Sequence, residues 1–194
     1  MSNKSAIFII AGPTGSGESA ITNEIISRFS NCTRLVTATT RQPRNQEKNG
    51  VDYFFLPKAD FLKKIKNGEI LEHTYMPSRD IYYGTLKSEL GKTMAAGFTI
   101  IINPDIVGAR YYKKNYQAVS VFIKPESLED IRSRLLKRQP DMKTKELEKR
   151  LQQADEELRE AENYDYIVEN PENQMELAVD KVIEIMQKEG YELN

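Results

Sequence analysis

Apolar and polar positions alternate along this chain in a way that predicts strands and helices in turn. Residues Ala6–Ala11 form an unbroken apolar run, the mark of a strand covered on both faces of a parallel sheet. After a glycine-rich stretch, Ile21, Ile25, Ile26 and Phe29 recur at helical spacing and predict an amphipathic helix from about Gly17 to Phe29. Phe98–Ile102 and Ala118–Ile123 repeat the continuous apolar pattern and predict two more core strands, with a short last one at Tyr166–Val168. Helices are expected at Lys58–Asn67, Leu86–Ala96, Leu128–Arg138, Thr144–Asn163 and Met175–Met186, with Gln139-Pro140-Asp141 breaking the fourth from the third.

Residues 35–90 have another texture. A short strand running from Arg34 into Arg44, a turn at Asn49-Gly50, and strands at Val51–Phe55, Ile70–Tyr75 and Ile81–Tyr83 suggest an inserted small sheet. Strand–helix alternation around such an insert predicts an α/β doubly wound fold with a parallel sheet.

Composition narrows the setting only a little. The 194 residues suffice for one domain with inserted parts. A net charge of -1 offers no general attraction to nucleic acid or an anionic membrane, so any phosphate site must be built from locally placed arginines and lysines. Cys32 is the only cysteine, which excludes an intrachain disulfide and fits a reducing, cytoplasmic setting. The run at Ala6–Ala11 is too short for a membrane span or a signal segment.

The chemistry starts at Gly12-Pro13-Thr14-Gly15-Ser16-Gly17-Glu18-Ser19. Strand, glycine turn and helix in that order match the phosphate-binding pattern G-x-x-x-x-G-K-[ST] at every position but one. Such glycines let backbone N–H groups converge on phosphate oxygens, and the helix N-terminus adds positive potential. Glu18 stands where the pattern has lysine, which reverses a local charge. The carboxylate has several options there: turning away, recruiting Mg²⁺, being offset by Arg134 and Arg138, or filling the loop's own anion nest. Ser19 is the candidate Mg²⁺ ligand.

Thr39-Thr40-Arg41-x-x-Arg44-x-x-Glu47-x-x-Gly50-x-Asp52-Tyr53, with Leu71-Glu72 and Tyr82-Tyr83-Gly84-Thr85, resembles the acceptor-binding part of guanylate kinases, and the resemblance runs from Ile7 to about Met186. It implies transfer of a phosphoryl group from ATP to GMP, with Mg²⁺, by a monomer or homodimer acting on free nucleotides. It implies a core of residues 1–34, 97–126 and 164–194, a GMP-binding subdomain at 35–96 and a helical lid at 127–163. On the same footing, Arg41, Arg44, Tyr53 and Tyr83 hold the GMP phosphate. Glu72, Thr37 and Thr85 read guanine, whose N1–H and N2–H suit a carboxylate and whose O6 suits a hydroxyl. Asp105 lies on the GMP side and Asn170 on the adenine side.

Arg134, Arg138 and Arg150 are the lid arginines expected over the ATP phosphates, the first two sharing a helix face. His73 beside Glu72 reads as a packing residue. In two places the chain departs from the pattern. The stretch His73–Ile81 is slightly long, and Asn103 stands where a first aspartate precedes Asp105, which weakens metal or water binding there. A non-catalytic guanylate-kinase-like module that binds GMP or phosphorylated ligands, and a related kinase acting on a sugar phosphate, are the alternatives.

Overall fold

The computed structural model describes residues 6–44, 47–77 and 79–194. Five strands form a wholly parallel sheet: β1 (Ile7–Ala11), β2 (Cys32–Arg34), β7 (Thr99–Ile102), β8 (Val119–Lys124) and β9 (Tyr166–Glu169), in the order β2-β7-β1-β8-β9. β1 sits in the middle, paired with β7 and β8, and every one of its residues is buried, as its unbroken apolar sequence requires. On one face lie α1 (Glu18–Arg28) and α7 (Met175–Lys188), which bring Ile21, Ile25, Val179, Val182 and Met186 against Phe8, Ile10 and Val121. On the other face, Ile7, Ile9, Ile100 and Ile102 meet Leu90 of α3 (Lys87–Ala95) and Tyr112 of α4 (Ile106–Tyr116).

A second sheet, β4-β3-β6-β5, is built from β3 (Ala38–Thr39), β4 (Phe54–Phe55), β5 (Ile70–Met76) and β6 (Ile81–Leu86). Phe61 of α2 (Lys58–Lys66) fills its underside with Ala38, Ile70 and Leu86. The third packing unit is helical. Ile131 and Leu135 of α5 (Leu128–Arg138) pack with Met142 and with Leu147 and Ala154 of α6 (Thr144–Arg159), which runs into a 3₁₀ turn at Ala161–Asn163. Ser127 caps α5 through a reciprocal pair with Asp130, satisfying two N–H groups that the helix itself leaves open.

The hydrophobic pattern gave most of this, with five differences. The stretch from Arg34 to Arg44 divides between the sheets: β2 ends at Arg34, the Leu35 N–H bonds Ile101 O, and β3 starts only at Ala38. The strand expected at Val51–Phe55 shrinks to Phe54–Phe55 because residues 48–52 close a turn, with Gly50 at φ 78° and the Asp52 N–H on Lys48 O. Helix Thr144–Asn163 stops at Arg159, and the strand before α3 claims Leu86. Helix α4 carries no expectation from the pattern. Its sequence, IVGARYYKKNY, is capped by Asp105, whose carboxylate accepts the Gly108 N–H at 3.0 Å.

Candidate active site

The glycine turn leaves β1 at the C-terminal edge of the parallel sheet, where open α/β sheets receive ligands. Gly15 (φ 89°) and Gly17 (φ 99°) occupy the left-handed region that side chains disfavour. Gly12 has a different reason: a Cβ there would lie 2.5 Å from both Ile123 O and Ser16 Oγ. The loop is braced from behind by groups far along the chain. Asn170, buried after β9, donates from Nδ2 to Ser16 O at 2.7 Å and fills the space left by the missing Gly17 Cβ. Arg134 donates to the carbonyls of Gly15, Ser16 and Asn170 at 3.2, 3.2 and 2.7 Å. Its guanidinium is therefore bound to backbone carbonyls of the loop and of Asn170.

Glu18 is turned back into the loop. Its carboxylate accepts the Ser16 hydroxyl at 2.9 Å, and the backbone N–H groups of Gly17 and Glu18 also bond it. Burial raises its pKa, while the Ser16 bond, those N–H groups and nearby Arg138 oppose the rise. A second carboxylate reaches the loop from α6: Glu157 accepts the Thr14 N–H and, at 2.7 Å, the amide of Gln153. Burial first, then Glu18 and Asp105, push Glu157 up to about 7. Gln153 in turn accepts from Arg79, at the β5–β6 turn, at 3.1 Å. Hairpin, helical unit and glycine loop are thus joined by one chain of hydrogen bonds. The slightly long stretch between Glu72 and Tyr82 supplies the arginine at its end.

Four arginines, Arg41, Arg44, Arg138 and Arg150, lie within electrostatic reach of one another here. Arg41 makes a bidentate pair with Glu47 at 2.6 and 2.7 Å, and its guanidinium lies 4.9 Å from the Tyr53 ring centre. Burial works against the Arg41 charge, but Glu47 and the neighbouring Tyr83 and Tyr53 outweigh it and raise its pKa. Glu47 is held down to about 2, chiefly by the Arg41 hydrogen bonds. It also accepts the Arg44 N–H at 2.7 Å, and so fixes the loop that carries both arginines. Arg44 itself has no side-chain hydrogen bond among the described residues. Its side chain is exposed, and desolvation, then the like charges of Arg41, Arg138 and Arg150, push its pKa down. Arg150 is buried, ion-paired with Glu146, and its Nε lacks a partner among the described residues. Tyr53 and Tyr83 stand edge to face beside this cluster, 6.0 Å apart.

The far end of the cleft is a carboxylate–hydroxyl pair. Thr85, fully buried on β6, donates to Glu72 Oε1 on β5 at 2.7 Å. Burial pushes the Glu72 carboxyl up to about 7 against that hydrogen bond, and Asp105 adds repulsion. Gly108 lies directly beneath, where a Cβ would come 3.3 Å from Glu72 Oε2 and 2.8 Å from Pro104 Cβ. Thr37 is half-buried before β3, its carbonyl taken by the Phe54 N–H. His73 is exposed, with its ring 6.4 Å from Tyr82.

Asn103 is no substitute acid. Its Nδ2 donates to Ile10 O and Thr22 Oγ1, both at 2.9 Å, while Thr22 donates to Glu18 O. It ties the end of β7 to the end of β1 and to the first turn of α1, a job that needs an amide donor. Sequence reasoning assigned no role to Glu47, Gly108, Gln153 or Glu157. Only Glu47 had a local signal, three residues after Arg44 within the motif.

A glycine loop that can cradle phosphate, with a cluster of arginines near it, is the equipment of a P-loop phosphotransferase. Among known proteins, a family model described as guanylate kinase matches residues 4–189. The chain is 37% identical over 187 residues to a guanylate kinase of Thermotoga maritima, covering 96% of this chain and 88% of that protein. A guanylate kinase of Bacteroides fragilis is 37% identical over 166 residues, covering 84% and 80% respectively. A crystal structure of guanylate kinase from Anaplasma phagocytophilum superposes with a TM-score of 0.75 at 26% identity, covering 98% of this chain and 89% of that one. The chain belongs to the guanylate kinase family.

Proposed function

We propose that this chain transfers the γ-phosphoryl group of ATP to GMP, and that Glu18 holds the rate down. The observation that carries the reading is Arg44: an exposed guanidinium with no side-chain hydrogen bond among the described residues, set beside Arg41, Arg138 and Arg150. In this reading a nucleoside monophosphate puts its dianionic phosphate on Arg44, with Arg41 pre-set by Glu47 and the hydroxyls of Tyr53 and Tyr83 alongside. Guanine gives N1–H and N2–H to Glu72, and Thr37 and Thr85 face its O6. Adenine would offer a donor to a donor and leave the carboxylate unpaired. Asp105 completes that side.

ATP lies along Gly12–Ser19, with its base towards Asn170. A GMP phosphate oxygen attacks the γ-phosphorus, the bond to the β–γ bridging oxygen breaks, and ADP leaves. Arg138 and Arg150 meet the charge spread over the transferred group, while Arg134 keeps the loop in shape. Mg²⁺ is held mostly by phosphates and water in such sites and needs few protein ligands. The donor set fits that need, because the Ser19 side chain is exposed at the start of α1, and among the described residues no acidic cage competes for the ion. When bound, Mg²⁺ neutralises phosphate charge. The residues around it orient the two nucleotides and exclude water.

The test measures GMP binding by calorimetry and ADP formation with ATP, Mg²⁺ and GMP, for the parent chain and Arg44→Ala. The variant is expected to lose about thirtyfold in GMP affinity, the worth of a charge-assisted hydrogen bond of about 2 kcal/mol. Unchanged affinity would remove Arg44 from the site. GMP binding with no turnover, in the parent and in Glu18→Lys alike, would favour the non-catalytic module.

A further inference from the structure

Helix α6 has two unlike faces. Leu147 and Ala154 pack on α5, while Glu146, Arg150, Gln153 and Glu157 recur at helical spacing and form a polar stripe. Arg150 is buried and the other three are half-buried. Polar groups withdrawn from water need partners, and Gln153 has two. Its Nε2 donates to Glu157 at 2.7 Å, and its Oε1 accepts from Arg79 at 3.1 Å. An amide meets both demands at once, where a glutamate would repel Glu157 and a lysine would repel Arg79.

The β5–β6 turn is built to deliver Arg79 to that amide. Asp80 takes the left-handed conformation there, at φ 55°. Its carboxylate is held by Lys58, at the start of α2, and by the Tyr75 hydroxyl at 2.8 Å. Arg79, its neighbour, goes to α6 instead, with its guanidinium also 3.4 Å from the Met76 sulfur.

We propose that Arg79 and Gln153 are positioning residues that latch the second sheet to α6 and so set how much of the protein has a closed cleft. Resting on the reading above, the acceptor phosphate lies between Arg41 and Arg44, which follow β3 of that sheet, and the arginines of the helical unit. Gln153 stands about one helical turn beyond Arg150. In the empty site Arg41, Arg138 and Arg150 all act on Arg44 as like charges, and the latch holds the two sides together against that repulsion. Breaking it lets the sides part, and GMP affinity falls with the fraction of closed protein.

The test places spin labels at Lys63→Cys on α2 and Lys149→Cys on α6, both exposed, in a Cys32→Ala background, and measures GMP binding by calorimetry. Without ligand, the parent should give one narrow distance, and Arg79→Ala and Gln153→Ala should each add a longer one. Each variant should bind GMP about fivefold more weakly, the worth of one hydrogen bond. The double variant should be no worse than either single one, because all three lose the same contact. Arg79→Lys, which keeps a donor, should recover part of both effects. A parent that already shows both distances, variants with an unchanged distance, or losses that add in the double variant would each overturn the proposal. A parent that binds no GMP would instead overturn the reading of the pocket, and the distances alone would then decide the latch.

Discussion

Replacing Glu18 with lysine is the sharpest perturbation this site offers. The carboxylate now occupies donors of the loop, the Ser16 hydroxyl and the Gly17 and Glu18 N–H groups, that a triphosphate would need. Two unit charges about 4 Å apart interact by about 4 kcal/mol at an effective dielectric near 20. Removing a repulsion and adding an attraction therefore changes the interaction with one phosphate charge by about 8 kcal/mol before relaxation. Arg138 and the Ser16, Gly17 and Glu18 donors already offset part of the Glu18 charge. Halving the figure leaves about 4 kcal/mol, or about a thousandfold in rate if the whole effect falls on the transition state. The assay is coupled ADP release at saturating GMP and varied ATP, comparing parent, Glu18→Gln and Glu18→Lys. The order expected is parent slowest, glutamine between, lysine fastest by a hundredfold or more. A lysine variant within threefold of the parent, with GMP binding intact in both, would refute the view that this carboxylate limits transfer.

GMP affinity should rise with pH. Glu72 in the empty pocket titrates at about 7, and only its ionised form accepts both guanine donors, so the Kd should fall about tenfold from pH 6 to 8 and then level; a flat profile over that range would rule out Glu72 as the base's acceptor. Stability of the ligand-free protein should move the other way. Glu72 and Glu157 are both raised from 4.5 to about 7, so the stability they contribute is complete below pH 4.5 and lost as pH climbs through 7. Thermal melts at pH 5 and 8 check this, and Glu157→Gln should flatten the slope; a higher melting temperature at pH 8 would contradict it. Asn103→Asp removes both donors from Ile10 O and Thr22 Oγ1 and sets a carboxylate against a carbonyl, at about 3 kcal/mol or a drop in melting temperature of about 9 °C. An unchanged melt would show that the amide is dispensable.

What the sequence made legible was what depends on neighbours in the chain. An apolar run as short as Ile7–Ala11, bounded by glycines, reads as a strand covered on both faces, and the glycines after it belong to a turn that approaches backbone closely. The arginine motif carried its own partner in Glu47. Helix α4 escaped because three tyrosines and three basic residues blur its apolar stripe, although Asp105 marks its start. The braces on the glycine loop were harder still. Arg134, Asn170 and Glu157 meet it from 119, 154 and 143 positions along the chain, and only the fold brings them there. Arg134 shares a helix with Arg138, and without a ligand backbone carbonyls of the loop hold its guanidinium, a contact that spacing along the helix does not reveal.

The hydrogen-bond chain from Arg79 through Gln153 and Glu157 to the Thr14 N–H has a bearing on how this enzyme can be altered. A phosphate that takes the Thr14 N–H must evict Glu157, and the freed carboxylate changes what Gln153 can offer Arg79. The acceptor hairpin and the helical arm are therefore not separable modules. A swap of either one from a relative would arrive without its counterpart's half of the wiring. Grafting either part therefore means exchanging the hairpin turn and the face of α6 as a matched set.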